Sequence, residues 1–155
     1  PIYKLMVNVA RLQATALEGV TLHGRVLAQW ADKNLDSSEK LSLGGANGVR
    51  AYPVGEGMGD NGWLAQLEIR YAMGAFTPFV FYDAGCVQLN ARSETITPAV
   101  SQNQRAVAGA GAGARYSAGA LTSDLSVAWR THGGTPEADP ARSDPRVWLR
   151  VAYRF

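Results

Sequence analysis

Cysteine, histidine and clustered charge are all scarce in this sequence. Cys86 is the only cysteine, which excludes a disulfide framework and a cysteine-based metal cluster. The two histidines, His23 and His132, lie far apart in the chain and lack the spacing of a zinc site. A net charge of +2 without a dense run of lysine or arginine gives no reason to expect a nucleic-acid partner.

Long hydrophobic runs are also missing. The longest stretch without a charged residue, Tyr71 to Tyr82, is shorter than the roughly 20 residues that a transmembrane helix needs, and it contains Gly74 and Pro78. A chain of this composition that crosses a membrane must therefore do so with strands. At 155 residues it forms one domain at most.

Apolar and polar residues alternate along segments of about ten residues, which are separated by turn-rich sequence. The alternation predicts seven strands, at residues 3–10, 21–30, 63–71, 79–85, 105–116, 121–130 and 146–155. We see no helical period. In the fifth segment Gly109, Gly111 and Gly113 fall on the polar side, where they would leave room for another part of the chain. The predicted fold class is all-β with antiparallel strands.

Periodicity alone does not separate a membrane barrel from a soluble barrel or sandwich. Two further observations favour the membrane. Aromatic residues occur on the apolar side and mostly near strand ends, at Tyr3, Trp30, Trp63, Tyr71, Tyr82, Tyr116, Trp129 and Phe155. Short turns at 13–19, 72–75 and 117–119 alternate with long polar connections at 31–62, 88–104 and 131–145, as in outer-membrane barrels. A soluble ligand-binding barrel is the alternative.

The last predicted strand ends on Phe155, with Tyr153 and Val151 on the same face. A terminal aromatic that completes an alternating strand resembles the assembly signal of outer-membrane proteins. This resemblance implies a location in the bacterial outer membrane, with its lipids and the barrel assembly machinery as partners.

Two short motifs carry isolated charges among glycines and aromatic residues. The glycine-rich segment 41–53 contains Gly44, Gly45 and the sequence Val49-Arg50-Ala51-Tyr52; the second motif is Phe81-Tyr82-Asp83-Ala84-Gly85. They resemble the Val-Arg-Gly-Tyr tip and the Phe-x-Asp-x-Gly strand of polypeptide-transporting outer-membrane barrels. The resemblance is greatest to the C-terminal part of a two-partner secretion transporter of the hemolysin-activator family.

The resemblance covers nearly the whole chain. It implies an antiparallel transmembrane β-barrel in which residues 1–155 supply the last seven of sixteen strands, with the periplasmic domains outside this segment. An open edge would leave backbone groups unpaired in lipid, and bacterial single-chain barrels close with an even strand number. We therefore expect part of a larger barrel that is a monomer at full length. A barrel closed between several copies is the alternative.

The resemblance also implies that the loop at 31–62 folds into the barrel, where its arginine meets acidic residues on the inner wall. Arg50 would be this anchor, with Val49 and Tyr52 packing the loop. Asp83 matches the strand motif, and Glu68 lies on the polar side of the preceding strand, where related barrels carry a second acidic residue. Neighbouring strands are about 4.8 Å apart, so one guanidinium could reach both carboxylates. A mobile surface loop and solvated charges are the alternatives.

Ala51 departs from the family pattern, which has glycine at this position. If the residue needs a positive φ, alanine would cost on the order of 1 kcal/mol. We therefore expect the detailed geometry of the tip to differ from that of the family, while the docking of the loop is retained.

The function implied is a pore that exports one large, unfolded partner protein of the hemolysin or adhesin type, without nucleotide, metal or other cofactor. Charged residues on the polar side would contact the passing chain: Arg70, Arg115, Asp124, Arg130 and Arg150. An insertase of the same superfamily and a passive porin are the alternatives. No enzyme is expected, because Ser123 and Asp124 point to opposite faces of one strand and cannot join His23 in a catalytic set.

Overall fold

The computed structural model describes residues 1–96, 102–141 and 144–155. Its strands are β1 (Lys4–Ala14), β2 (Val20–Ala31), β3 (Leu41–Ser42), β4 (Met58–Gly59), β5 (Asn61–Tyr71), β6 (Phe76–Gln88), β7 (Gln104–Ala118), β8 (Leu121–His132) and β9 (Arg146–Tyr153). Two short 3-10 helices lie in connections, at Ser37–Glu39 and Ser93–Thr95. In the part of the chain that the structure describes, no helix is both long and apolar enough to cross a membrane.

The seven long strands form one antiparallel sheet in the order β1-β2-β5-β6-β7-β8-β9. The prediction of an all-β antiparallel fold with seven strands is confirmed. β1 and β6 are longer than predicted, whereas β9 ends at Tyr153 rather than at Phe155. Beyond β9, the backbone N–H of Arg154 still donates to the carbonyl of Ala120, at 3.0 Å.

The two faces of the sheet differ in polarity because side chains alternate along each strand. One face, which we call the outer face, carries large apolar residues that are exposed, among them Leu5, Val26, Leu67, Val80 and Leu149. The opposite face, the inner face, carries Glu68, Asp83 and Arg115. Exposed apolar side chains on a whole sheet face are the pattern of a barrel wall that contacts lipid.

The connections alternate in length. Those between β1 and β2, β5 and β6, and β7 and β8 are short, whereas residues 32–60, 89–103 and 133–145 form long connections. The predicted long connections at 88–104 and 131–145 include residues 97–101 and 142–143, which lie outside the described residues. Residues 32–60, here called the inward loop, run over the inner face.

The apolar core lies between the inward loop and the inner face of the sheet. Leu43, Val49 and Tyr52 of the loop are fully buried, and they pack with residues of β5 to β8. The buried cluster consists of Leu41, Leu43, Val49, Ala51, Tyr52, Leu64, Phe79, Phe81, Val87, Val107 and Ala128. The loop therefore supplies the apolar surface that would otherwise be missing from one side of the core.

Candidate functional site

The inward loop returns on itself through a narrow stem. β3 pairs with β4 antiparallel, with Leu41 opposite Gly59, and residues 43–57 form the tip above this stem. The predicted loop glycines have two different uses there. A Cβ on Gly44 would overlap the carbonyl oxygen of Pro53, so the two arms approach more closely than alanine permits, and Gly45 has a φ of 109°.

The tip brings Arg50 to the carboxylates of Asp83 and Glu68. Arg50 Nε donates to Asp83 Oδ2 and its Nη2 donates to Asp83 Oδ1, each at 2.8 Å. Its Nη1 donates to Glu68 Oε2 at 3.1 Å, and its backbone N–H donates to Asp83 Oδ2 at 3.1 Å. The guanidinium also stacks on Phe81, with its central carbon 3.5 Å from the ring centroid. One planar fork therefore engages two strands and one aromatic face at once.

These charges are buried. The side chain of Asp83 is 0% exposed, and those of Arg50 and Glu68 are 6% and 7% exposed. Removing one partner from such a cluster leaves an uncompensated buried charge, which costs about 3 to 5 kcal/mol. The position of the tip is therefore strongly tied to the presence of all three side chains.

Glu68 and Asp83 differ in their other partners. Arg115 Nη1 donates to Glu68 Oε1 at 3.0 Å, and Arg70 Nε donates to the same oxygen at 3.3 Å. Arg115 also donates to Asp124, at 2.8 Å. Among the described residues, every hydrogen bond to the carboxylate of Asp83 comes from Arg50. The negative charge of Glu68 is thus compensated in part by arginines of the sheet, whereas that of Asp83 is compensated by the loop alone.

The protonation of Arg50 follows from this arrangement. Burial by itself would lower the pKa of Arg50, but the hydrogen bonds and negative charge of Asp83, with a further contribution from Glu68, outweigh burial and raise the pKa above its usual value. The tip therefore carries its positive charge at every physiological pH.

Tyr52 attaches the tip to a second region of the sheet. Its hydroxyl oxygen lies 2.8 Å from the carbonyl oxygen of His132 and 2.9 Å from that of Gly134, where β8 ends, so its one proton is shared between these two acceptors. Burial raises the pKa of Tyr52, so the hydroxyl keeps its proton and remains a donor. Val49, three residues earlier, is fully buried in the apolar core.

Ala51 fits without backbone strain. None of the described residues other than glycine has a positive φ, so Ala51 does not need the conformation that favours glycine. Its Cβ instead lies against Gly109 of β7, where an added Cβ would overlap it. Gly111 and Gly113 have another use than the one predicted. They leave room for the rings of Phe81 and Phe79 rather than for the loop.

Several contact residues were not singled out from the sequence. Trp148 of β9 donates from its indole Nε1 to the carbonyl oxygen of Arg50, at 2.8 Å. An available signal was that Trp148, a large aromatic residue, falls on the polar side of its strand. Two buried carboxylates of the loop, Glu56 and Asp60, were also missed. Asp60 accepts the backbone N–H groups of Leu35 at 3.1 Å and Ala91 at 2.8 Å.

The remaining candidates do not assemble into a catalytic or metal site. Asp124 is engaged with Arg115, and His23 of β2 lies opposite Glu68 of β5, away from β8. Within residues 1–96, 102–141 and 144–155, no group of histidine, cysteine and acidic side chains could hold a metal ion.

An antiparallel sheet with an apolar outer face, and with a long loop held by buried charges on its inner face, defines the wall of a transmembrane β-barrel with an inserted loop. Residues 2–116 match the family model described as "Haemolysin secretion/activation protein ShlB/FhaC/HecB". The chain belongs to this family. Its members are outer-membrane transporters of the two-partner secretion type, not enzymes.

Individual relatives agree with this assignment. The chain is 34% identical over 133 residues to the "Heme/hemopexin transporter protein HuxB" of Haemophilus influenzae strain 86-028NP, a match that covers 82% of this chain and 23% of that protein. It is 36% identical over 133 residues to the HuxB protein of strain Rd, with the same coverage. The chain thus spans about a quarter of the length of these curated relatives.

A solved structure has the same fold. "CdiB from Acinetobacter baumannii" superposes with a TM-score of 0.71 over 99% of this chain and 27% of that chain, at 16% sequence identity. At this level of identity the similarity concerns the fold alone. The seven strands of this chain correspond to about a quarter of that longer chain.

Proposed function

We propose that this chain forms part of an outer-membrane pore that exports a large, unfolded partner protein, and that the inward loop is the plug of the pore. Membership of the two-partner secretion family supports a secreted protein as the cargo. The observation that carries the plug assignment is the buried guanidinium of Arg50, which bonds to Asp83 and Glu68 on the inner face.

An ionic anchor suits a plug that has to open. A buried ion pair adds little net stability once the desolvation of both charges is counted, although it fixes the position of its partners. An apolar tip of the same size would gain stability from every contact and expose apolar surface to the lumen on release. Arg50 therefore holds the tip in one position, and its charged side chain is readily hydrated in the water-filled pore after release.

Release of the plug would change the inner wall at one point above all. Glu68 would keep Arg70 and Arg115 as partners. Asp83 would lose all three hydrogen bonds that it accepts from Arg50 and become an uncompensated carboxylate in the lumen. Together with the inner-face charges of Arg70, Arg115, Asp124, Arg130 and Arg150, it would offer polar contacts to a passing chain.

The outer face and the end of the chain would serve the assembly of the barrel. The exposed apolar side chains of that face suit outer-membrane lipids. Tyr153 and Phe155 are exposed, and their rings meet edge to face at a centroid distance of 5.5 Å. We propose them as the part of the terminal strand that the barrel assembly machinery recognises.

The export function is tested in the full-length protein together with its secreted partner. We expect Arg50→Ala to lower the amount of partner in the medium by about tenfold or more, because Asp83 and Glu68 then lose the arginine that holds the plug in position. Arg154→Ala, at an exposed arginine that among the described residues makes no side-chain bond to the inward loop, should export normally. The amount of folded barrel in the outer membrane is measured in parallel. Undiminished export by Arg50→Ala at normal barrel levels would overturn the transporter mechanism.

A further inference from the structure

Glu56 is a second buried charge of the inward loop, on the arm that returns from the tip. Its side chain is 0% exposed. Its Oε1 accepts from Arg105 Nε at 2.8 Å and from Arg105 Nη2 at 2.6 Å. The same oxygen accepts the backbone N–H of Glu137 at 3.2 Å, and Oε2 accepts that of Ala138 at 3.0 Å. A buried carboxylate that meets this many donors is fully satisfied.

The carboxylate joins three parts of the chain that are remote in sequence. Glu56 belongs to the inward loop, Arg105 is the second residue of β7, and residues 137 and 138 belong to the connection between β8 and β9. Arg105 strengthens the junction, because its Nη1 donates to the carbonyl oxygen of Gly133 at 2.7 Å. We call Glu56, Arg105 and the N–H groups of Glu137 and Ala138 the outer latch.

The outer latch is separate from the cluster around Arg50. Asp83 pairs with Gly109 across β6 and β7, whereas Arg105 pairs with Val87. The four residues from Gly109 to Arg105 span about 14 Å along the strand. Arg105 is also nearer to the long connections, since β7 starts at Gln104. The loop is thus held at two levels, by Arg50 deep on the wall and by Glu56 near the rim.

We propose that Glu56 and Arg105 are positioning residues of the plug, and that the outer latch makes its release depend on residues 133–138 of the connection between β8 and β9. This inference rests on the proposed plug function. If that connection moves, Glu56 loses two N–H donors while it is still buried, and a buried carboxylate with missing donors is costly. Movement at the rim therefore loosens the returning arm of the plug without changing the contacts of Arg50.

The inference predicts that the plug can be weakened from either end. Glu56→Gln keeps the size of the side chain and removes its charge. In planar bilayers containing the full-length protein, we expect this variant to increase the fraction of time that the pore is open on the order of tenfold, which matches the loss of charge-assisted hydrogen bonds. Glu39→Gln is the matched control, since Glu39 is an exposed residue of the same loop.

A second variant addresses the connection without changing the plug or β7. Ala138→Pro removes the N–H that donates to Glu56 Oε2, whereas Ala138→Gly retains it. We expect the proline variant to open the pore more often than wild type and the glycine variant to open it less often than the proline variant. Ala138→Pro also provides a test if Glu56→Gln fails to accumulate in the membrane.

The outcomes separate this inference from the plug function itself. If Arg50→Ala opens the pore while Glu56→Gln and Ala138→Pro leave it closed, the plug assignment stands and the outer latch is overturned. If Arg50→Ala also leaves the pore closed, the plug assignment fails instead. If all three variants open the pore while the controls Glu39→Gln and Ala138→Gly leave it closed, both the plug assignment and the outer latch are supported.

Discussion

Arg50 and Asp83 lie 33 positions apart in the sequence and share three hydrogen bonds, two from the guanidinium and one from the backbone N–H. The backbone bond acts on the main chain, whereas the two guanidinium bonds act on the side chain. It orients the turn of the tip itself, so that Asp83 selects both the side chain and the local conformation of the loop. Glu68 has no such backbone bond to the tip, and it is shared with arginines of the wall.

This difference predicts unequal effects of removing the two charges. We expect Asp83→Asn to weaken the docking of the loop by about 3 to 5 kcal/mol, because the buried charge of Arg50 loses the carboxylate that accepts two of its three bonds to the inner face and is left with Glu68 alone. Glu68→Gln should weaken it less, since Arg50 keeps all three of its hydrogen bonds to Asp83. The fraction of time that the full-length pore is open in planar bilayers ranks the two variants.

A double-mutant cycle provides the control for that ranking. Arg50→Ala and Asp83→Asn together should cost clearly less than the sum of their separate effects, because each removes the same contact. Strict additivity of the two would mean that both are solvated charges in the lumen, and the pairing would then play no part in docking.

The contact between Ala51 and Gly109 predicts that exchanging the two residues is better tolerated than changing Gly109 alone. Gly109→Ala adds a methyl group that overlaps Ala51, and overpacking of this kind costs about 1 to 3 kcal/mol. Combining it with Ala51→Gly should restore docking of the loop, as measured by protease resistance of the tip. Gly24→Ala is the matched control, because an added Cβ meets nothing within 4 Å at Gly24. Failure of the exchange to restore docking would contradict the contact.

Tyr52 separates the effect of its hydroxyl from that of its ring. Tyr52→Phe removes the bonds to His132 and Gly134 and should cost about 0.5 to 1.5 kcal/mol. Tyr52→Ala leaves a cavity in the buried cluster as well and should cost about 3 to 5 kcal/mol. Protease resistance of the loop, measured in the same membrane preparation, compares the two. Equal effects would indicate that the ring contributes nothing to packing.

The terminal aromatic residues remain a prediction from the sequence. We expect Phe155→Ser to reduce the amount of barrel that reaches the outer membrane, while Arg154→Ser, one residue earlier, should have little effect. Quantifying folded barrel by its resistance to unfolding in detergent at room temperature distinguishes assembly from synthesis. Normal levels of the Phe155 variant would exclude a role in assembly.

The sequence by itself determined the strands and the faces of the sheet. A strand repeats every two residues, so local alternation is enough to assign Glu68 and Asp83 to one face and Leu67 and Tyr82 to the other. The lengths of the connections followed from the positions of the predicted strands. The resemblance of the motifs then identified Arg50 as the residue of the loop that pairs with the two carboxylates.

Only the tertiary structure decided how the loop crosses the inner face and which side chains it meets. Trp148 lies 98 positions from Arg50, and Glu56 lies 49 positions from Arg105. No local period relates residues at such separations, because a loop without a repeating backbone conformation can take many paths. The path is selected by the fit of side chains at its end, such as Ala51 against Gly109. For that reason the outer latch could not be predicted from the sequence, although every residue of it is visible there.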